Sequence, residues 1–230
     1  MIQRKPQPGE RIGVIDELRG LALIMVVLSH VGLVYGLETD IAYGLALPAF
    51  SVGVDLFLVI SGFVIHRNVL AMSVKAGGNA TLGAQAFWVR RFVRIAAPAA
   101  GTLAVVGAVR LAQEGAGASW ADLAAALAFF ANFYWASCAA SATPYPHALV
   151  ASHFWSLSLE GQFYAVAPAL IALPRRLALP VCLSVVAMGA SLERPLGSCL
   201  WTTRPAALLI GMGLAARKGQ AIAPGMLCHP

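Results

Sequence analysis

The sequence predicts an all-α fold, a polytopic transmembrane helix bundle of about six spans with its N-terminus cytoplasmic, and three observations predict it. The first is composition. Of 230 residues, 59% are hydrophobic and only 11% are charged, against about 25% charged in a soluble globular domain. Mean hydropathy is +0.76, and a surface this poor in charge cannot be mostly wetted. The second is the grouping of apolar residues into runs near the ~20 residues that a helix needs to cross a bilayer. The third is the placement of the 16 Lys and Arg residues in short clusters between those runs, the pattern of the positive-inside rule.

The first run, Leu18–Tyr35, follows Arg4, Lys5 and Arg11. No small-residue cleavage site follows closely, so it reads as an uncleaved first span. The second span covers about Phe50–Leu70, and a polar stretch, Lys75–Thr81, follows it with Gly77-Gly78-Asn79 inside. Phe87-Trp88-Val89-Arg90-Arg91-Phe92-Val93-Arg94 then makes an amphipathic basic entry into the third span, about Ile95–Leu111. Trp88 and the arginines suit a membrane interface. Asp122–Ala136 is apolar but contains Asn132, and at about 15 residues it is short for a span. His153–Leu173, Leu177–Leu192 and about Leu200–Ala216 complete the set.

Charge bias arbitrates the short segment. With the N-terminus inside and Asp122–Ala136 re-entrant, 12 basic residues lie inside: Arg4, Lys5, Arg11, Arg67, Lys75, Arg90, Arg91, Arg94, Arg175, Arg176, Arg217 and Lys218. Arg110, Arg194 and Arg204 lie outside, a ratio of 12 to 3. If the segment crosses, making seven spans, later loops invert and the ratio becomes 10 to 5. The re-entrant arrangement is therefore expected, with both ends inside.

The formal net charge of +6 does not signal nucleic-acid binding, because no recognition module is present. Cys138, Cys182, Cys199 and Cys228 form no CxxC pair and read as inert packing residues. His30, His66, His147, His153 and His229 lack the spacing of helical metal sites, so no metal is expected.

Arg19 and His30 carry the most chemical information. They stand 11 residues apart on one predicted helix, about three turns, so both project from one face roughly 16 Å apart along the axis. Arg19 falls near the cytoplasmic mouth and His30 in the outer half. Asp55 enters the second span from outside, at a depth of roughly 7–8 Å, close to that of His30. Ionisable groups inside a bilayer are functional candidates, and a carboxylate there needs a partner. Glu160 is a second such carboxylate, suited to pairing with a cation or to catalysis. Ser61 reads first as a small polar packing residue, with an acyl-serine as the alternative. His66 and Arg67 read as interfacial anchors, and Trp155, Phe163 and Tyr164 as packing or interface aromatics.

Five blocks, in order, resemble the acyltransferase 3 family. Ile15-Asp16-Glu17-Leu18-Arg19-Gly20 continuing to Ser29-His30 is similar to its first-span signature of Arg, ten residues, then His. Gly53-Val54-Asp55-Leu56-Phe57-Leu58-Val59-Ile60-Ser61-Gly62-Phe63 matches its second-span motif, and Arg90-Arg91 with Arg94 its cytoplasmic arginine motif. His153-Phe154-Trp155-Ser156-Leu157-Ser158-Leu159-Glu160-Gly161-Gln162-Phe163-Tyr164 resembles its most recognisable block, and Thr203-Arg204 with Leu208-Leu209-Ile210-Gly211 a later one.

The resemblance implies transfer of an acyl group, often acetyl from acetyl-CoA, to a hydroxyl of a sugar, lipid or antibiotic. The implied setting is the bacterial inner (plasma) membrane, crossed several times. Acyl-CoA is then a substrate held through its phosphates by Arg90, Arg91 and Arg94, with no permanently bound cofactor. The acceptor is a carbohydrate, lipid-linked sugar or other hydroxyl compound. His30 suits a general base, with Arg19, Asp55 and Glu160 around the chemistry. The sequence departs from the family at Gly161, where a second glutamate is usual, at Ala206, where an aspartate is common, and at Pro98, one place late. Family members also run on with several more spans. Residues 1–230 are therefore expected to form a single acyltransferase-like domain, shortened at its C-terminal end. The competing expectations are an inactive fragment or a transporter or channel subunit using the same ionisable groups as a proton relay.

Overall fold

The computed structural model describes residues 13–35, 40–112, 120–140, 154–192 and 203–222. The described residues are all-helical. They form α1 (Gly13–Tyr35), α2 (Asp40–Lys75), α3 (Ala80–Ala112), α4 (Trp120–Leu127), α5 (Ala131–Ala140), α6 (Trp155–Ala172), α7 (Arg175–Ser191) and α8 (Pro205–Ile222). Among the described residues, two stretches are long and apolar enough to cross a membrane, Val52–Lys75 and Ala80–Val109. Large apolar side chains also face outward, among them Leu23 and Ile24 of α1, Val93 and Val105 of α3 and Leu183 of α7. The chain gathers into two compact units, Met1–Ala71 with Ala206–Pro230, and Met72–Pro205.

Helices α1, α6 and α7 lie close to the predicted runs. Helix α2 extends well beyond Phe50–Leu70, because Ala, Leu and Met continue the helical propensity on both sides. The basic stretch Phe87–Arg94 is interior to α3, which starts at Ala80. Asn79 caps this helix, its Oδ1 accepting from the Leu82 amide at 3.0 Å. Before it, Gly77 and Gly78 take positive φ values of 67° and 86°. Bonds from Gly78 N–H to Ser73 C=O and from Gly77 N–H to Val74 C=O close α2 in a Schellman arrangement. Leu200 through Thr202, the start expected for the last span, falls outside the described residues, as do the basic residues Arg4, Lys5, Arg11 and Arg194.

Asp122–Ala136 is two short helices with a break at residues 128–130. Phe130 N–H donates to Ala125 C=O at 2.7 Å and Phe129 N–H to Ala126 C=O at 3.1 Å, again a Schellman closure. Here the left-handed position, φ 58°, is held by Phe129 and not by glycine. That conformation costs an L-residue roughly 1–2 kcal/mol, which the surroundings must offset.

In the first unit, glycines set how closely helices approach. A Cβ on Gly53 would sit 2.6 Å from the Met25 Cβ of α1. A Cβ on Gly62 would sit 2.0 Å from the Leu208 carbonyl oxygen of α8, and one on Gly211 would sit 1.9 Å from the Val59 carbonyl oxygen. Gly53 and Gly62 are nine residues apart, about 2.5 turns, so they mark opposite sides of α2. One side admits α1 and the other admits α8. Leu58, Ile65, Leu208 and the Ser61 hydroxyl are buried in this unit. Small residues that let backbones meet are the usual device for helices in lipid.

In the second unit α3 runs antiparallel to α6: Trp88 meets Tyr164, while Ala99 and Leu103 share a core with Phe154. Ala126 of α4 and Ala131 of α5 complete that core, with Leu123 and Leu157 packed against it.

The backbone crossing at Gly62 and Gly211 makes a direct prediction. Gly62→Ala or Gly211→Ala should destabilise the chain by about 1–3 kcal/mol, because backbone must move to admit the methyl group. Gly213→Ala, one residue pair further along α8 with nothing within 4 Å of its Cβ, should be neutral or slightly stabilising. Thermal unfolding in detergent checks the contrast.

Candidate functional site

Helix α6 organises the second unit through two polar ridges. Ser158 and Gln162 are one turn apart, and so are Glu160 and Tyr164. The two pairs are offset by two residues, about 200° around the axis, so they face different neighbours.

The first ridge satisfies the broken segment. Ser158 Oγ accepts from the Ala131 amide at 3.2 Å. Gln162 Nε2 donates to the Phe129 carbonyl at 2.7 Å and to Asn132 Oδ1 at 2.9 Å, while Asn132 Nδ2 donates to Gln162 Oε1 at 3.2 Å. Gly161 sits beside this ridge. A Cβ there would lie 2.7 Å from the Phe129 ring. The missing side chain therefore admits the residue that holds the left-handed knuckle. Phe92 of α3 packs on the same ring, with centroids 6.3 Å apart.

The second ridge faces the arginine segment. Tyr164 donates its hydroxyl to Glu160 Oε1 at 2.5 Å. Glu160 is only 6% exposed, so this bond meets a demand that burial of a carboxylate creates. Above the phenol ring, the Arg91 guanidinium carbon lies 5.5 Å from the centroid, within cation–π range. Phe87 meets the ring edge-on at 5.8 Å and 78°. Trp88 Nε1 donates to the Tyr164 carbonyl at 2.9 Å. Arg91 is half-buried, whereas Arg90 and Arg94 are exposed.

A second guanidinium lies near the start of α6. Arg204, 7% exposed, places its guanidinium carbon 5.8 Å from the Trp155 ring centroid. Trp155 in turn stacks on Trp135 of α5 at 6.3 Å and 25°. Sequence reasoning counted Arg204 among the outside basic residues, within the last span and the Thr203-Arg204 motif, and read Tyr164 as a packing or interface aromatic. The i, i+4 spacing of Glu160 and Tyr164 was the available signal for the latter, and the motif position of Arg204 was the signal for the former.

In the first unit, Arg19 and His30 both belong to α1. Arg19 reaches Asp16 Oδ1 at 3.8 Å across one turn, with both side chains substantially exposed. Such a pair contributes little to stability. The side chain of His30 lies outside the described residues, as does His153. Asp55 lies on α2, half-buried and engaged in a polar interaction. The Ser61 hydroxyl and His66 Nδ1 are buried without a hydrogen-bond partner among the described residues. Cys138 and Cys182 are free thiols. Among the described residues no group of three His, Cys, Asp or Glu gathers to hold a metal ion.

Residues 12–221 match the family described as an acyltransferase domain, type 3. The chain belongs to the acyltransferase 3 family. Its relatives include a Komagataeibacter xylinus protein named as a membrane-bound transacylase, BcsY, 34% identical over 69% of this chain and 37% of the relative. The peptidoglycan O-acetyltransferase OatA of Listeria monocytogenes is 30% identical over 68% of this chain and 24% of its own length. A Staphylococcus aureus protein named as an O-acetyltransferase is 25% identical over 68% and 24%. The match thus spans between a quarter and two fifths of these relatives. No solved structure matches the chain. The acyltransferase class implied by the motifs is borne out by this membership. Within the acyltransferase 3 block on α6, the motif residues divide their work: Ser158 and Gln162 hold the break, Glu160 holds Tyr164, Tyr164 carries Arg91, Gly161 admits Phe129 and Trp155 carries Arg204.

The first ridge is testable by subtraction. Gln162→Leu strands the Phe129 carbonyl and Asn132, and should cost about 1–3 kcal/mol. Adding Asn132→Leu removes one stranded partner and should recover part of that loss. Both are read from unfolding of the detergent-solubilised protein. Equal stability of Gln162→Leu and wild type would mean that the bonds contribute nothing net.

Proposed function

We propose that this chain is the membrane-embedded part of an O-acyltransferase that moves an acyl group, acetyl in the first instance, from acyl-CoA to a hydroxyl of a cell-surface carbohydrate or lipid-linked sugar. The observation that carries the reading is the cationic stretch of α3. Arg91 rests on Tyr164, while Arg90 and Arg94 stand exposed on a helix of bilayer length. Guanidinium groups in such a place need anions, and the phosphates of CoA offer charge-assisted, two-pronged partners. The relatives' names support acyl transfer to oxygen, and one names peptidoglycan.

In the proposed reaction the acceptor oxygen attacks the thioester carbonyl while neutral His30 takes the hydroxyl proton. The carbon–sulfur bond breaks, the departing CoA sulfur recovers that proton, and an ester and free CoA result. Asp55 orients His30, Arg19 guides the donor at the inner mouth, and Glu160 acts beside the arginine segment. Acyl-CoA is a substrate here, so no resident cofactor is required.

The proposed topology is six spans in the inner membrane with both described ends inside, within one domain. The break at residues 128–130 supports a re-entrant α4–α5, because lipid tolerates interrupted backbone only where protein satisfies it. Serine, glutamine and asparagine do so here.

Two measurements test this reading. His30→Ala should lower acetyl transfer to added polysaccharide by about 10²–10⁴-fold, with His30→Gln giving no rescue and Arg94→Ala raising the acyl-CoA KM instead. A His30→Ala protein that accumulates normally and transfers at the wild-type rate would sink the base role. For topology, a single cysteine placed in Ala139–Ser152 on a cysteine-free background should react with an impermeant reagent from outside. Reaction only after permeabilisation would mean that Asp122–Ala136 crosses.

A further inference from the structure

The geometry points to Tyr164 as a positioning residue whose ring face sets donor affinity through Arg91 and whose hydroxyl sets turnover through Glu160. This rests on the reading of the arginine segment as the CoA phosphate site. The ring is fixed on four sides. Its hydroxyl is tied to Glu160 at 2.5 Å, its edge is met by Phe87 at 5.8 Å, its main-chain carbonyl is held by Trp88 at 2.9 Å, and its face carries Arg91 at 5.5 Å. A guanidinium on a ring face keeps its N–H groups in its own plane, available to a phosphate. Arginine otherwise has many rotamers to lose on binding. Seating Arg91 beforehand removes part of that loss from the donor's binding step.

The hydroxyl does separate work. It donates to Glu160 Oε1 and so fixes the carboxylate that the proposed reaction uses, while the ring face that carries Arg91 would be the same in phenylalanine. Glu160 and Arg91 are thereby joined across one aromatic group without touching. Removing the hydroxyl leaves the ring, and so the seat for Arg91, but strands Glu160. Removing the ring loses both.

The test is coenzyme A binding to the full chain in detergent, by equilibrium dialysis, together with acetyl-transfer kinetics. Arg91→Ala should weaken CoA binding by about 10-fold or more. Tyr164→Leu should weaken it by about 3- to 30-fold. The double variant should bind no more weakly than Arg91→Ala alone, since the ring acts only through the guanidinium. Tyr164→Phe should hold CoA affinity and acetyl-CoA KM within about 2-fold while kcat falls about 10-fold. Should Tyr164→Leu fail to accumulate, Tyr164→Met replaces it. Tyr164→Phe still decides, because loss of CoA affinity in that variant overturns the division of roles. Wild-type CoA affinity in Tyr164→Leu, or additive losses in the double variant, also overturns it and leaves the donor site standing. Wild-type affinity in Arg91→Ala sinks the donor-site reading itself, and this inference with it.

Discussion

A carboxylate buried on an apolar helix is costly, and the hydrogen bond from Tyr164 to Glu160 is what makes its place tenable in the second unit. The consequences spread outward. The bond fixes the phenol ring, the fixed ring seats Arg91, and Trp88 and Phe87 of the same helix close on the same residue. Three residues within five positions of α3, Phe87, Trp88 and Arg91, are thus specified by one residue of α6. The short Phe-Trp-Val-Arg-Arg-Phe block is therefore a packing surface as well as a charge cluster.

The helical class, the placement of α1, α6 and α7, and the family were legible because each rests on local pattern: apolar runs of bilayer length and motif spacing. The break in Asp122–Ala136 was legible only as an awkward length. Its turn carries no glycine, and the left-handed Phe129 is held by Gly161 and Gln162 about thirty residues later. Such a turn has no local signature. Arg204 shows the same limit. Sequence position places it at the outer end of the last span, and its seat on the Trp155 ring appears only in the structure. The glycines of the second-span motif lie between these cases. Their presence was plain, but that Gly53 and Gly62 serve different neighbours follows only once α1 and α8 are in place.

Among the described residues of the second unit, both buried or half-buried guanidinium groups rest on aromatic faces of α6, at Trp155 and Tyr164. Nine residues separate these rings, about 13 Å along the helix. Arginine suits this use better than lysine, being weakly hydrated and flat. Where water is scarce, a ring face gives such a cation a partner that carries no formal charge of its own to desolvate. The helix thereby holds positive charge at two levels with one buried carboxylate of its own.

Gly161 belongs to the same helix and has a steric role there. A glutamate at position 161 would place a second carboxylate on α6 with a need for a partner of its own. It would also fill the space taken by the Phe129 ring, 2.7 Å from the position of any Cβ. With glycine, the broken segment moves in until Gln162 can reach the Phe129 carbonyl and Ser158 the Ala131 amide. The missing side chain at Gly161 is therefore what lets α6 satisfy its interrupted neighbour.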